Sequence, residues 1–200
     1  MTELNTCGGA RGPSAGSAEP GRIDLILVDC QNTYTQGVME LEGVQAALDE
    51  AAALLDRART AGIPVIHIQH DDGPGGSLYD INGESGAIVS RVAPRDGEPV
   101  VIKNYPNSFV HTDLEERLKA VGAENLIIAG FMTHMCVNST ARGAFNLGYA
   151  PTVMAGATAT RSLPGVDGGD VPAATVQAAS LAALKDLFAV VVPVGQAIPD

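Results

Sequence analysis

The sequence predicts a three-layer α/β/α sandwich built on a mainly parallel, six-stranded sheet. Three observations carry this. Short apolar runs recur along the chain, of the length expected for strands buried on both faces. Segments with apolar residues at helical spacing alternate with them. Glycine or proline punctuates the junctions, as at Gly62 and Pro64 or at Gly122.

Residues 1–21 are rich in Gly, Ser, Ala and Pro and lack periodicity, so they read as a flexible tail that includes Cys7. Residues 22–200 read as one domain. Its first strand is Ile23 to Val28, with Asp29 at the carboxyl end, where open parallel sheets build their sites. Asp29 is either functional or a cap for the turn through Cys30, Gln31 and Asn32. Strand alternation turns Cys30 away from whatever Asp29 faces, which makes it core. The first helix spans Val44 to Ala61, with Val44, Ala47, Leu48, Ala51, Leu54, Leu55 and Ala58 on one face.

The second strand spans Val65 to Gln69. His67 lies within its buried pattern and reads as a satisfied core or subunit-contact histidine. His70, Asp71 and Asp72 follow at a spacing that matches no standard metal-ligand signature. From Asp71 to Pro99 the chain is a long Gly-rich loop, of the kind that serves as a lid. Leu78, Tyr79 and Ile81 give it an apolar edge able to close over a small substrate. The third strand is Val100 to Ile102. Lys103 at its end needs a partner, because a lysine buried alone is costly, and Asp29 is the obvious carboxylate; a solvated surface lysine is the alternative. The turn from Asn104 to Phe109 offers Tyr105 and Phe109 as pocket walls. Thr112 as N-cap, with Glu115 completing a capping box, opens a helix to Val121 that Gly122 stops.

Leu126 to Ala129 is the central strand, ended by Gly130. Helical spacing begins at Cys136 and continues through Val137, Thr140, Ala141, Ala144 and Phe145 to a stop at Gly148. A thiol in the first turn of a helix meets free N–H groups and the positive end of the dipole, which favour a thiolate and hold an oxyanion. A buried structural cysteine is the alternative. His134 is a rival base for that thiol. Residues two apart at a helix entry do not face each other, so Asp29 ranks above it. The fifth strand is Ala150 to Ala155, followed by a second Gly-rich loop from Gly156 to Gly169. The last helix runs from Ala173 to Leu187, and a final strand from Phe188 to Pro193.

Hydrophobic residues make up 46% of the 200-residue chain and charged residues 18%, a globular composition. A net charge of -11 argues against nucleic acid or an anionic membrane as partner. No apolar run approaches the ~20 residues of a membrane span, and no secretory signal precedes Ile23. Three cysteines without metal-type spacing fit a reducing, cytoplasmic setting. Neither a dinucleotide Gly fingerprint nor a P-loop is present, so no cofactor is expected.

With Asp29, Lys103 and Cys136 each at the end of a predicted strand, the chain resembles the isochorismatase-like, or cysteine hydrolase, superfamily over about residues 23–192. The resemblance rests on three blocks and their extensions. They are Val28-Asp29-Cys30-Gln31-Asn32 with Tyr34; Val101-Ile102-Lys103 with Asn107-Ser108-Phe109 and Thr112-Asp113-Leu114; and Gly130-Phe131-Met132-Thr133-His134-Met135-Cys136-Val137. Ser139-Thr140-Ala141-Arg142 and Gly148-Tyr149 extend the last. It implies the Rossmann-like, isochorismatase-like hydrolase fold and a Cys-Asp-Lys triad suited to hydrolysing a C–N bond. Asp29 would take the proton of Cys136, and the thiolate would attack a carbonyl carbon. The backbone N–H groups of Cys136 and Met132 would hold the oxyanion, with a non-proline cis peptide at Phe131–Met132. Asp29 would then protonate the leaving amine and activate water, while Lys103 keeps Asp29 ionised and favours the thiolate. Gln31, Tyr34, Phe131 and Thr133 join Tyr105 and Phe109 as substrate-pocket candidates.

Nicotinamidases in this superfamily bind a metal through an Asp-x-His pair after the second strand. The matching positions here are His70 and Asp72, in reverse order, so no metal is expected. Gly156 stands where the family usually has an acid near the end of the fifth strand. True isochorismatases cleave a vinyl ether by protonation from the aspartate without the cysteine, so retention of Cys136 favours amide, lactam or carbamoyl substrates. Vinyl-ether hydrolysis and a non-catalytic binding or thiol-redox role are the alternatives. The resemblance also implies a homo-oligomer, dimer or tetramer.

Overall fold

The computed structural model describes residues 22–193; the expected N-terminal tail, with Cys7, lies outside them. The elements follow as β1 (Ile23–Val28), α1 (Val44–Thr60), β2 (Val65–His70), β3 (Val100–Lys103), α2 (Leu114–Val121) and β4 (Asn125–Phe131). After them come α3 (Asn138–Asn146), β5 (Ala150–Ala159), β6 (Leu163–Pro164), β7 (Asp170–Val171), α4 (Ala173–Leu187) and β8 (Val190–Val192). Six strands form one sheet in the order β3-β2-β1-β4-β5-β8, and every pairing is parallel. The chain winds outward from β1 to one side and then from β4 to the other. That switch opens a crevice beyond the carboxyl ends of β1 and β4.

Alternation along β1 divides the core. Leu25 and Leu27 pack with the buried face of α1, while Ile26 and Val28 pack with Leu118 of α2, Ala141 and Ala144 of α3 and Leu184 of α4. Each such side chain contributes about 1.5–3 kcal/mol by leaving water. The seven apolar residues expected on one face of α1 are all buried.

Several boundaries differ from expectation, each for a local reason. α2 starts at Leu114 with Asp113 at its N-cap, and no capping box forms. The Thr112 hydroxyl accepts the Leu114 N–H at 3.4 Å, as a cap would, while donating to the Ser108 carbonyl at 2.6 Å. β4 does not stop at Gly130. That residue sits at φ 114°, and a Cβ on it would lie 2.0 Å from the Val28 carbonyl oxygen, so glycine lets β4 press against β1 and continue. β5 continues to Ala159 because, after a register shift, it regains pairing with Gly130 and Phe131. The second Gly-rich segment is therefore shorter and carries the antiparallel β6–β7 pair. Among the described residues, no helix is long and apolar enough to cross a membrane.

Candidate active site

The ends of β1 and β3 and the turn after β4 bring Asp29, Lys103 and Cys136 together. Asp29 follows β1 at φ 49°, a left-handed conformation that a short polar side chain tolerates, and its N–H donates to the Ile68 carbonyl at 3.0 Å. Lys103 ends β3, two strands from β1, so its side chain must cross the end of β2. There it passes His70, its register partner. The ammonium Nζ lies 2.7 Å from Asp29 Oδ2, 3.1 Å from His70 Nδ1 and 3.5 Å from Cys136 Sγ. An ammonium has three protons, and three acceptor groups stand within reach of it. All three triad side chains are buried. The Asp29 contact is an oblique ion pair, and neither carboxylate oxygen accepts an aligned hydrogen bond among the described residues. Those lone pairs can receive a proton from a reacting group.

Electrostatics decide the resting state. Burial raises the Asp29 pKa, and the Lys103 ammonium opposes the rise. Burial also pushes the Cys136 thiol up to about 12; the Asp29 charge adds to this and Lys103 works against it. A thiol made acidic by its helix turn was the expectation, and the structure reverses it. Neither the turn nor one ammonium offsets a dry site that already holds a carboxylate. Cys136 also sits in a π-helical turn, Thr133–Val137, ahead of α3 rather than at its head. The N–H groups on either side of it, from Met135 and Val137, return to the Met132 carbonyl at 3.1 and 3.2 Å. The Phe131–Met132 peptide is cis.

Aromatic rings gather on the α1 side. The Tyr34 ring lies 5.8 Å from those of both Phe131 and Tyr79, and Tyr79 stands edge-on to His70 at 5.0 Å. Tyr79 comes from the long loop after β2, so that loop reaches the Tyr34 and His70 rings. Gln31 is buried with its amide committed: Nε2 donates to the carbonyls of His70 (2.9 Å) and Gly86 (2.7 Å), and Oε1 accepts the His70 N–H at 2.9 Å. Thr133 is also buried and donates to the Ala159 carbonyl at 3.0 Å. Phe109 stacks on Tyr149 and half-exposed Tyr105 leans on His111, so the structure does not bring these two into the group around Tyr34.

Sequence reasoning missed the part played by His70. A usable signal was present: β2 lies between β1 and β3, so the residue ending β2 must border any contact between Lys103 and Asp29. His67 is a satisfied core histidine whose Nε2 meets Glu98 Oε2 at 3.0 Å. Glu98 is held to about 2 by hydrogen bonds, first from Arg59. His134 turns its Nδ1 to the Thr160 hydroxyl at 2.6 Å. His70 places Nδ1 on Lys103 and Nε2 on Asp72 Oδ1 at 3.2 Å. Among the described residues, no group of three His, Cys, Asp or Glu is arranged to hold a metal ion.

Comparison with known proteins places the chain in a family. The isochorismatase domain model matches residues 25–196. The chain is 38% identical over 169 residues to the uncharacterised isochorismatase family protein YddQ of Bacillus subtilis, covering 84% of this chain and 93% of that protein. It is 32% identical over 168 residues to the secreted isochorismatase effector Isc1 of Verticillium dahliae, covering 84% and 86%. Streptothricin hydrolase of Streptomyces noursei is 36% identical over 178 residues, which span 88% of this chain and 63% of that enzyme. The crystal structure of an isochorismatase from Pseudomonas putida superimposes with a TM-score of 0.84 at 38% identity, covering 90% of this chain and 92% of that one. The chain belongs to the isochorismatase family.

Proposed function

We propose that the protein is a cysteine-dependent amidohydrolase that cleaves a C–N bond of a small amide, lactam or carbamoyl substrate through a thioester. The observation that carries this reading is the Lys103 ammonium seated in a buried site between the Asp29 carboxylate and the Cys136 sulfur. As Sγ attacks the carbonyl carbon, Asp29 takes the thiol proton; a carboxyl with a raised pKa is well matched to that task. The tetrahedral oxyanion accepts hydrogen bonds from the N–H groups of Met132 and Cys136. Collapse breaks the C–N bond, and the amine leaves with the proton held by Asp29. Water then gives a proton to Asp29 and adds to the thioester, the C–S bond breaks, and the sulfur takes that proton back. Lys103 stays charged throughout and balances the carboxylate. The name of the streptothricin hydrolase relative supports hydrolysis as the reaction class. The reading includes a reducing cytoplasmic setting, which keeps the thiol free. It also includes a homo-oligomer, dimer or tetramer, in which part-exposed Ile102 and Tyr105 would be covered.

A second reading has its own support. A carboxyl whose pKa is raised by burial also suits proton donation to a vinyl ether, and that reaction does not use the cysteine. The two separate cleanly. Primary amides, lactams and carbamoyl compounds are screened for release of ammonia or amine, and quenched reactions are weighed by mass spectrometry. An acyl adduct on Cys136, with turnover reduced to background in Cys136→Ala, is the expected result. Undiminished turnover in Cys136→Ala would end the thioester reading.

A further inference from the structure

We infer that His70 is the positioning residue for Lys103, holding its ammonium against Asp29 and Cys136 through a relay that ends on Asp72. The inference rests on the hydrolytic reading of the triad. Lys103 Nζ can only donate, so His70 Nδ1, 3.1 Å away, must carry a lone pair and no proton. The ring proton then resides on Nε2, which faces Asp72 Oδ1 at 3.2 Å. Neighbours on both sides therefore select one tautomer.

The imidazole is itself firmly held. Gln31 clamps the His70 backbone through both its N–H and its carbonyl, and the Tyr79 ring packs edge-on against the imidazole. Lysine, by contrast, is a point charge on a flexible four-carbon stem. Crossing the end of β2, its amine would without His70 be held only by Asp29 at 2.7 Å and Cys136 at 3.5 Å. His70 removes the freedom by drawing the third proton sideways. The two residues at the positions where nicotinamidases hold a metal thus steady the protein's own cation here.

The test uses the full chain. Nitrogen NMR of the imidazole is expected to show Nδ1 unprotonated and Nε2 protonated in the wild type; protonation on Nδ1 in the neutral ring would overturn the proposal. On an amide found in the screen, His70→Leu is expected to lower kcat about 10–100-fold with KM little changed, the size typical of residues that orient a reacting group. His70→Asn, whose side-chain oxygen can accept from Lys103, is expected to restore most of the loss. Wild-type kcat in His70→Leu, or an equal loss in both variants, would count against positioning. If His70→Leu fails to fold, the tautomer decides alone. If the wild type hydrolyses nothing in the screen, the hydrolytic reading fails while the tautomer still tests the His70–Lys103 contact.

Discussion

Strand β1 has an aspartate near its start, Asp24, and another just beyond its end, Asp29. Both are fully buried, and burial raises the pKa of both. They differ in what stands beside them. Neither oxygen of Asp24 has a hydrogen-bond partner among the described residues; its pKa is raised to about 6, and Arg22 only partly opposes the rise. Asp29 has the Lys103 ammonium at 2.7 Å, with Cys136 and His70 on the same amine. Burial alone makes a carboxyl a liability of the fold. Asp29 is instead buried against a fixed cation that also reaches the Cys136 sulfur, the setting our proposed mechanism uses.

The sharpest way to break the comparison is to neutralise each acid in turn. Asp29→Asn is expected to reduce amide turnover about 10²–10⁴-fold, the usual contribution of a positioned base. Asp24→Asn should leave kcat at the wild-type value. Steady-state kinetics on the same substrate decide it, and comparable losses would erase the distinction. Removing the cation instead isolates the cost of the charge. Lys103→Met is expected to destabilise the fold by about 3–5 kcal/mol in urea unfolding at neutral pH, since Asp29 is left as an uncompensated buried charge. Adding Asp29→Asn to that variant should recover most of the loss.

The smallest effect is the dependence of stability on pH at Asp24. Between its ordinary value of 3.8 and its folded value of about 6, the native chain holds a proton that the unfolded chain has released. Stability from this group is therefore greatest at the acid end, falls as pH rises through that window and is level above it. The change is about 3 kcal/mol at most. Asp24→Asn should flatten the slope in melts taken across the window and be the more stable form at pH 7. An unchanged slope would mean that Asp24 is not desolvated.

Much of this was legible beforehand, and the residues show why. β1, the buried face of α1 and the span of α4 follow from apolar spacing, which is recorded within one segment. Asp29, Lys103 and Cys136 could be singled out because each stands at or just beyond the end of an apolar run. Other features depend on two segments at once. Gly130 reads as a stop, and only the approach of Val28 shows why it lies inside a strand. Thr112 reads as a helix cap and does accept the Leu114 N–H, but its hydroxyl also donates to the Ser108 carbonyl, a partner that only the fold reveals.

By itself, then, the sequence determined the layers, the chain order of strands and helices, and which three chemical groups could form a triad, because periodicity and residue type are local properties. Tertiary structure alone decided that burial raises the Cys136 thiol, that Gln31 braces the end of β2, and that His70 borders the lysine. Those outcomes depend on desolvation and on hydrogen-bond partners contributed by distant strands, and neither is written in any single stretch of chain.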